Sequence, residues 1–117
     1  MFANCSNLEF FYDDLSSMTD GSGMFNGCYR LSHFNANLSS LINGTEMFYK
    51  CNSLESFALD LSSLTNGDYM FYDCTSLTDF NSDLRSLVNV RQMFGKCGSL
   101  TTFSADLSKL TEGTDMF

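Results

Sequence analysis

Five cysteines recur at a spacing of 23 residues: Cys5, Cys28, Cys51, Cys74 and Cys97. Thiols can hold a metal, close disulfides or attack a substrate, and each use places a demand on spacing. A zinc site wants close pairs such as C-x2-C. A disulfide framework in a small secreted domain has an even count at irregular spacing. This column meets neither demand. It reads as a row of small buried hydrophobes with free thiols, or as thiols paired between neighbouring copies, as in Cys28–Cys51. A second polar column comprises Asp14, Asn37, Asp60, Asp83 and Asp106. It reads as a turn or cap residue accepting backbone N–H bonds. The other reading is a calcium ladder, which wants converging carboxylates in the Gly-Asp spacing of calcium-binding nonapeptides; that motif is absent. His33 is the sole histidine. No Ser, Cys or Asp constellation repeats around it, and it reads as a solvated strand residue. There is no phosphate loop, catalytic carboxylate pair or nucleophile motif. We therefore expect no enzyme, no cofactor and no metal.

The elements that carry these columns repeat with them. Met-Phe occurs at Met1-Phe2, Met24-Phe25, Met47-Phe48, Met70-Phe71, Met93-Phe94 and Met116-Phe117, always 23 residues apart. Leucine fills the columns 8, 31, 54, 77, 100 and 15, 38, 61, 84, 107; phenylalanine fills 11, 34, 57, 80, 103. Met18, Leu41, Leu64, Leu87 and Leu110 add a further apolar column. The unit reads M-F-x-x-C-x-x-L-x-x-F-x-x-[DN]-L-x-x-L-x-x-G-x-x. So short a unit cannot bury its own apolar face, whereas stacked copies can, in ladders of equivalent residues. Helical-pair repeats run to ~33–47 residues, whereas leucine-rich units of ~20–29 fit. Turn signals such as Thr65-Asn66-Gly67-Asp68 punctuate every copy. The pattern predicts a mostly β solenoid of five 23-residue coils with short strands, turns and little helix. It places one strand around Glu55–Leu59 and its equivalents, and a second extended piece before each Met-Phe. D-L-S-S-L becomes a tight turn or one short helical turn, with Asp60 and its equivalents as cap. The glycine column, Gly21, Gly44, Gly67 and Gly113, reads as φ > 0 or close packing. Val90 interrupts it, which points to Asn89 as the left-handed residue there.

These residues carry a resemblance. M-F-x-x-C-x-x-L-x-x-F, followed by D-L-S-S-L and a return to M-F, resembles the BspA-like leucine-rich repeats of bacterial surface, protozoan surface and phage-associated proteins. The resemblance covers the whole chain and implies surface display, with adhesion or protein recognition and no catalytic residues. It places the protein at the cell surface or outside the cell, or alternatively on a phage virion.

Composition narrows the partners. Six Lys and Arg oppose fourteen Asp and Glu, a formal net charge of −8. An acidic surface repels phosphate backbones and anionic lipid, so nucleic acid and membrane are poor partners. No apolar run approaches the ~20 residues of a membrane helix. Residues 1–117 form a single array: repeats 1–23, 24–46, 47–69, 70–92 and 93–115, then the start of a sixth. The array opens mid-pattern, so the chain is expected to be part of a longer protein. Core dyads at both ends predict end-to-end self-association of the isolated piece.

The positions that vary between copies carry the functional expectation. Residues flanking the buried strand Phe point outward. One such column is Phe10, His33, Ser56, Asp79 and Thr102; the next is Tyr12, Asn35, Ala58, Asn81 and Ser104. Tyr29, Tyr49 and Tyr72 sit near the Met-Phe corner, where they extend that surface or cover the core edge. A constant core under a variable face is how solenoids make recognition surfaces. The expected function is a non-catalytic interaction module binding a protein or glycan. The alternative is a structural spacer with no ligand.

Overall fold

The structure, a computed structural model, describes residues 1–117. Five short strands recur at the repeat spacing: β1 (Phe10–Phe11), β2 (His33–Phe34), β3 (Ser56–Phe57), β4 (Asp79–Asn81) and β5 (Thr102–Ser104). There is no helix. All pairings are parallel and in register, with Phe11 against Phe34, Phe57 against Phe80 and Phe80 against Phe103. The third strand is shorter than the Glu55–Leu59 expected from sequence, because only Ser56 and Phe57 pair in the ladder with the next copy. The second extended piece is present as a row of single parallel bridges, Asp20–Asn43–Asn66–Asn89–Glu112. Beyond it the backbone keeps binding the next copy. The N–H groups of Phe25, Phe48 and Phe71 each donate to the methionine carbonyl one copy on, at 2.9 Å. The strand ladder is not continuous: β1 pairs β2, and β3, β4 and β5 pair together.

The core is an aromatic herringbone. Every phenylalanine except Phe10 belongs to one of two columns. Along the Met-Phe column the rings stack at 5.4–5.6 Å. Between the columns they meet edge to face, as in Phe48–Phe57 at 5.5 Å and Phe71–Phe80 at 5.4 Å. Both geometries suit the ring quadrupole. The widest stack, Phe34–Phe57 at 6.5 Å, falls where β2 and β3 leave the sheet open. Leucine and methionine columns fill the space around the rings. At the two ends Met1 and Phe117 are largely exposed.

The cysteines have a specific partner. Cys28, Cys51, Cys74 and Cys97 donate their S–H to the carbonyls of Phe2, Phe25, Phe48 and Phe71, at 3.1, 3.3, 3.2 and 3.0 Å. Each of these carbonyls also accepts the N–H of the cysteine in its own copy, so the thiol uses the remaining lone pair. Burial pushes the Cys97 thiol up to about 11 and raises those of Cys28, Cys51 and Cys74 too.

The aspartate column caps turns. Asp14, Asn37, Asp60, Asp83 and Asp106 each accept the N–H two residues on, at 2.8–3.0 Å. The Ser62 hydroxyl, and then its N–H, hold the Asp60 carboxyl below its ordinary value.

The glycine column resolves to close packing. A Cβ on Gly21 or Gly44 would lie 2.9 Å from the sulfur of Met47 or Met70. The left-handed backbone lies elsewhere, at two positions per copy. One is Asn4, Gly27, Lys50, Asp73 and Lys96; the other is Gly23, Glu46, Tyr69, Gln92 and Asp115. Asn89 is not among them, contrary to expectation, because the turn bends two residues after the glycine column rather than at it.

One buried polar atom lacks a partner, the hydroxyl of Ser82, in a residue 5% exposed. Alanine occupies the equivalent buried site at position 36. A buried hydroxyl without a bond keeps its desolvation cost, so Ser82→Ala should raise stability by about 1 kcal/mol. A lowered urea midpoint would show that this hydroxyl has a partner.

Candidate functional site

The strands put the predicted face residues that flank the buried Phe in solvent. Phe10, His33, Ser56, Asp79 and Thr102 are exposed, as are Tyr12, Asn35, Ala58, Asn81 and Ser104. Pleating does this: with Phe11, Phe34, Phe57, Phe80 and Phe103 held in the core, the residues on either side must face outward. The face is graded along the array. At the first rung Phe10 is 54% and Tyr12 62% exposed. The Phe10 ring meets the His33 imidazole at a centroid distance of 5.0 Å. His33 Nδ1 is held by the Ser32 hydroxyl at 2.8 Å, and Glu9 beside Phe10 is paired with Arg30. Later rungs carry small or acidic side chains. The first two copies therefore present a fixed aromatic surface, and the others a polar one.

The structure gives Tyr49 and Tyr72 a different part. Their rings stack at 5.2 Å and 11°. Lys50 Nζ lies 5.5 Å from the Tyr49 centroid and Lys96 Nζ 5.5 Å from that of Tyr72. The Tyr72 ring also lies over Gly95, where a Cβ would come within 2.7 Å of it. The ring faces are spent on neighbours, and both residues are half-buried. They zip adjacent copies together and keep edges and hydroxyls for any ligand. Tyr29 stays exposed.

Two features were missed in the sequence. One is the second turn-capping column, at Asp20, Asn43 and Asn66, whose side chains accept the N–H groups of Ser22, Thr45 and Asp68 at 3.0–3.2 Å. The other is Tyr69, an aromatic residue at a left-handed position, φ 55°, in edge contact with Tyr72 at 5.7 Å. An exposed-side Asn column beside the glycines was the available signal for the first. Nothing in the pattern marked Tyr69, because its column changes residue in every copy.

Comparison with known proteins adds to this geometry. The model of the BspA type leucine rich repeat region matches residues 1–117 in six copies. A search of curated proteins gave no match. The crystal structure of a leucine rich repeat protein of T. pallidum superposes with a TM-score of 0.60 at 23% identity, covering 90% of this chain. This chain spans 61% of that one, and at such identity the likeness bears on the fold.

Proposed function

Since the chain belongs to the BspA-type leucine-rich repeat family, we propose that it is a non-catalytic interaction module that captures a protein partner on its strand face, serving adhesion or recognition at a cell surface. The family is associated with bacterial surface proteins and builds binding scaffolds. The observation that supports this reading is the cluster of Phe10, Tyr12 and His33. Large aromatic side chains exposed beside a rigid backbone lose little entropy on binding and anchor protein interfaces. No helix is long and apolar enough to cross a membrane.

The double variant Phe10→Ala, Tyr12→Ala tests the proposal. Anchors of this kind contribute ~2 kcal/mol or more each to binding, so capture of a partner should fall at least about thirtyfold. The melting temperature should stay unchanged, because neither ring belongs to the core. Undiminished capture would leave the spacer reading standing.

A further inference from the structure

A cleft opens on a different part of the surface, across the third, fourth and fifth copies. It has a volume of about 640 Å³ and shares no residue with the strand face. Its origin lies in the ladder. Between the first three copies, Gly21 and Gly44 donate their N–H groups to the carbonyls of Asn43 and Asn66 at 2.9 Å. At the next junction Asn66 and Asn89 still bridge, yet neither Gly67 N–H nor Asn89 N–H makes a hydrogen bond of normal geometry. This is also where Val90 takes the glycine position and is buried, 2% exposed. The Asp68 carboxylate spans the opening and accepts the N–H of Arg91 at 2.8 Å.

We propose that this cleft is a binding site for a neutral oligosaccharide. Its lining brings together Tyr69, Asn66, Asn89 and Arg91. Amides, carboxylates and guanidinium together both donate to and accept from hydroxyl groups, and an aromatic ring takes the apolar face of a pyranose. Tyr69 stands at a left-handed backbone position that costs a bulky residue about 1–2 kcal/mol, and equivalent copies place Gly23, Glu46, Gln92 or Asp115 there. Tyr69 is the one aromatic residue in that column, and it lines the cleft. Charge selects the ligand class. Asp68, Glu112 and Asp115 stand against Arg91 alone, so an anionic glycan is repelled. The carboxylates do not converge into a group able to hold a metal ion.

The test is a titration of the 117-residue chain with maltotriose, chitotriose and the anionic 3′-sialyllactose, followed by amide NMR. Saturable shifts at Asn66, Asp68, Tyr69, Asn89 and Arg91 with a neutral trisaccharide are expected, with a Kd near about 1 mM. Tyr69→Gly should weaken binding at least about tenfold without lowering the melting temperature, since glycine relieves the left-handed strain. The proposal is overturned by an absence of shifts with either neutral sugar up to about 20 mM. It is also overturned by tighter binding of sialyllactose, by shifts confined to the strand face, or by full affinity in Tyr69→Gly. Loss of partner capture on the strand face has no bearing on this result, because the two surfaces are disjoint.

Discussion

Phe48→Ala should lower the unfolding free energy by about 3–5 kcal/mol. Phe48 is fully buried and touches four other rings: Phe25 at 5.6 Å, Phe34 at 4.8 Å, Phe57 at 5.5 Å and Phe71 at 5.4 Å. The truncation loses the transfer free energy of the ring and leaves a void. The void cannot collapse, because each neighbouring ring is fixed by its own stack. Small domains have only about 5–15 kcal/mol in hand. The loss also falls on the interfaces to both adjacent copies, which in a repeat array set the cooperativity. The denaturation curve should therefore move to lower urea and broaden. Phe10→Ala is the matched control, since Phe10 lies outside the herringbone and its removal should shift the midpoint by no more than about 0.5 kcal/mol. Equal effects at the two positions would mean that the ladder is not the source of stability.

Much of this was legible because stacking turns a one-dimensional period into a three-dimensional column. Phe11, Leu31, Cys51 and Met70 could be assigned to the core, and Phe10 and Tyr12 to the surface, from spacing alone. Asp60 as a turn cap followed from the same logic. Conformation within the turns was less legible. A glycine column invites the inference of positive φ, yet Gly44 serves to admit the Met70 sulfur. The left-handed sites at Lys50 and Tyr69 hold residues with no such preference. Ladder hydrogen bonds between copies impose that backbone: Lys50 N–H on the Tyr72 carbonyl at 2.8 Å and Tyr69 N–H on that of Arg91 at 2.9 Å. Tertiary pairing overrides local propensity there, so the sequence carries no mark of it. The thiol bond to a phenylalanine carbonyl in the preceding copy was hidden for a like reason, since it depends on which backbone atom lies across the rung. The cleft at Asn66 and Asn89 lies where two ladder hydrogen bonds are missing, and no column of the repeat marks that junction.

Unfolding free energy should fall steeply above pH 9, and the buried thiols should account for most of the slope. The thiols of Cys51 and Cys74 are raised above the ordinary value of 9.0, chiefly by burial. In the folded chain they stay protonated where the unfolded chain has lost the proton. A raised pKa contributes stability that is fully present below the unfolded value and is lost as pH rises from there toward the folded one. The window opens near pH 9.0; Cys97 leaves it near 11, while Cys51 and Cys74 continue beyond. Each thiol held neutral costs about 1.4 kcal/mol per pH unit, so Cys51 and Cys74 together cost about 2.7. Across one and a half units that approaches about 4 kcal/mol, enough to unfold a marginal domain. Urea denaturation under reducing conditions, from about pH 8 to about pH 11, measures the slope. The double variant Cys51→Ala, Cys74→Ala isolates it, since every other titrating group is retained. The two small voids lower the whole curve by a constant amount, while the Phe25 and Phe48 carbonyls keep their backbone donors. The variant should therefore be less stable at pH 8 and lose stability more slowly, so that the two curves converge as pH rises. Parallel curves would show that these thiols ionise as freely in the folded chain as in the unfolded one, and the buried cysteine ladder would be wrong.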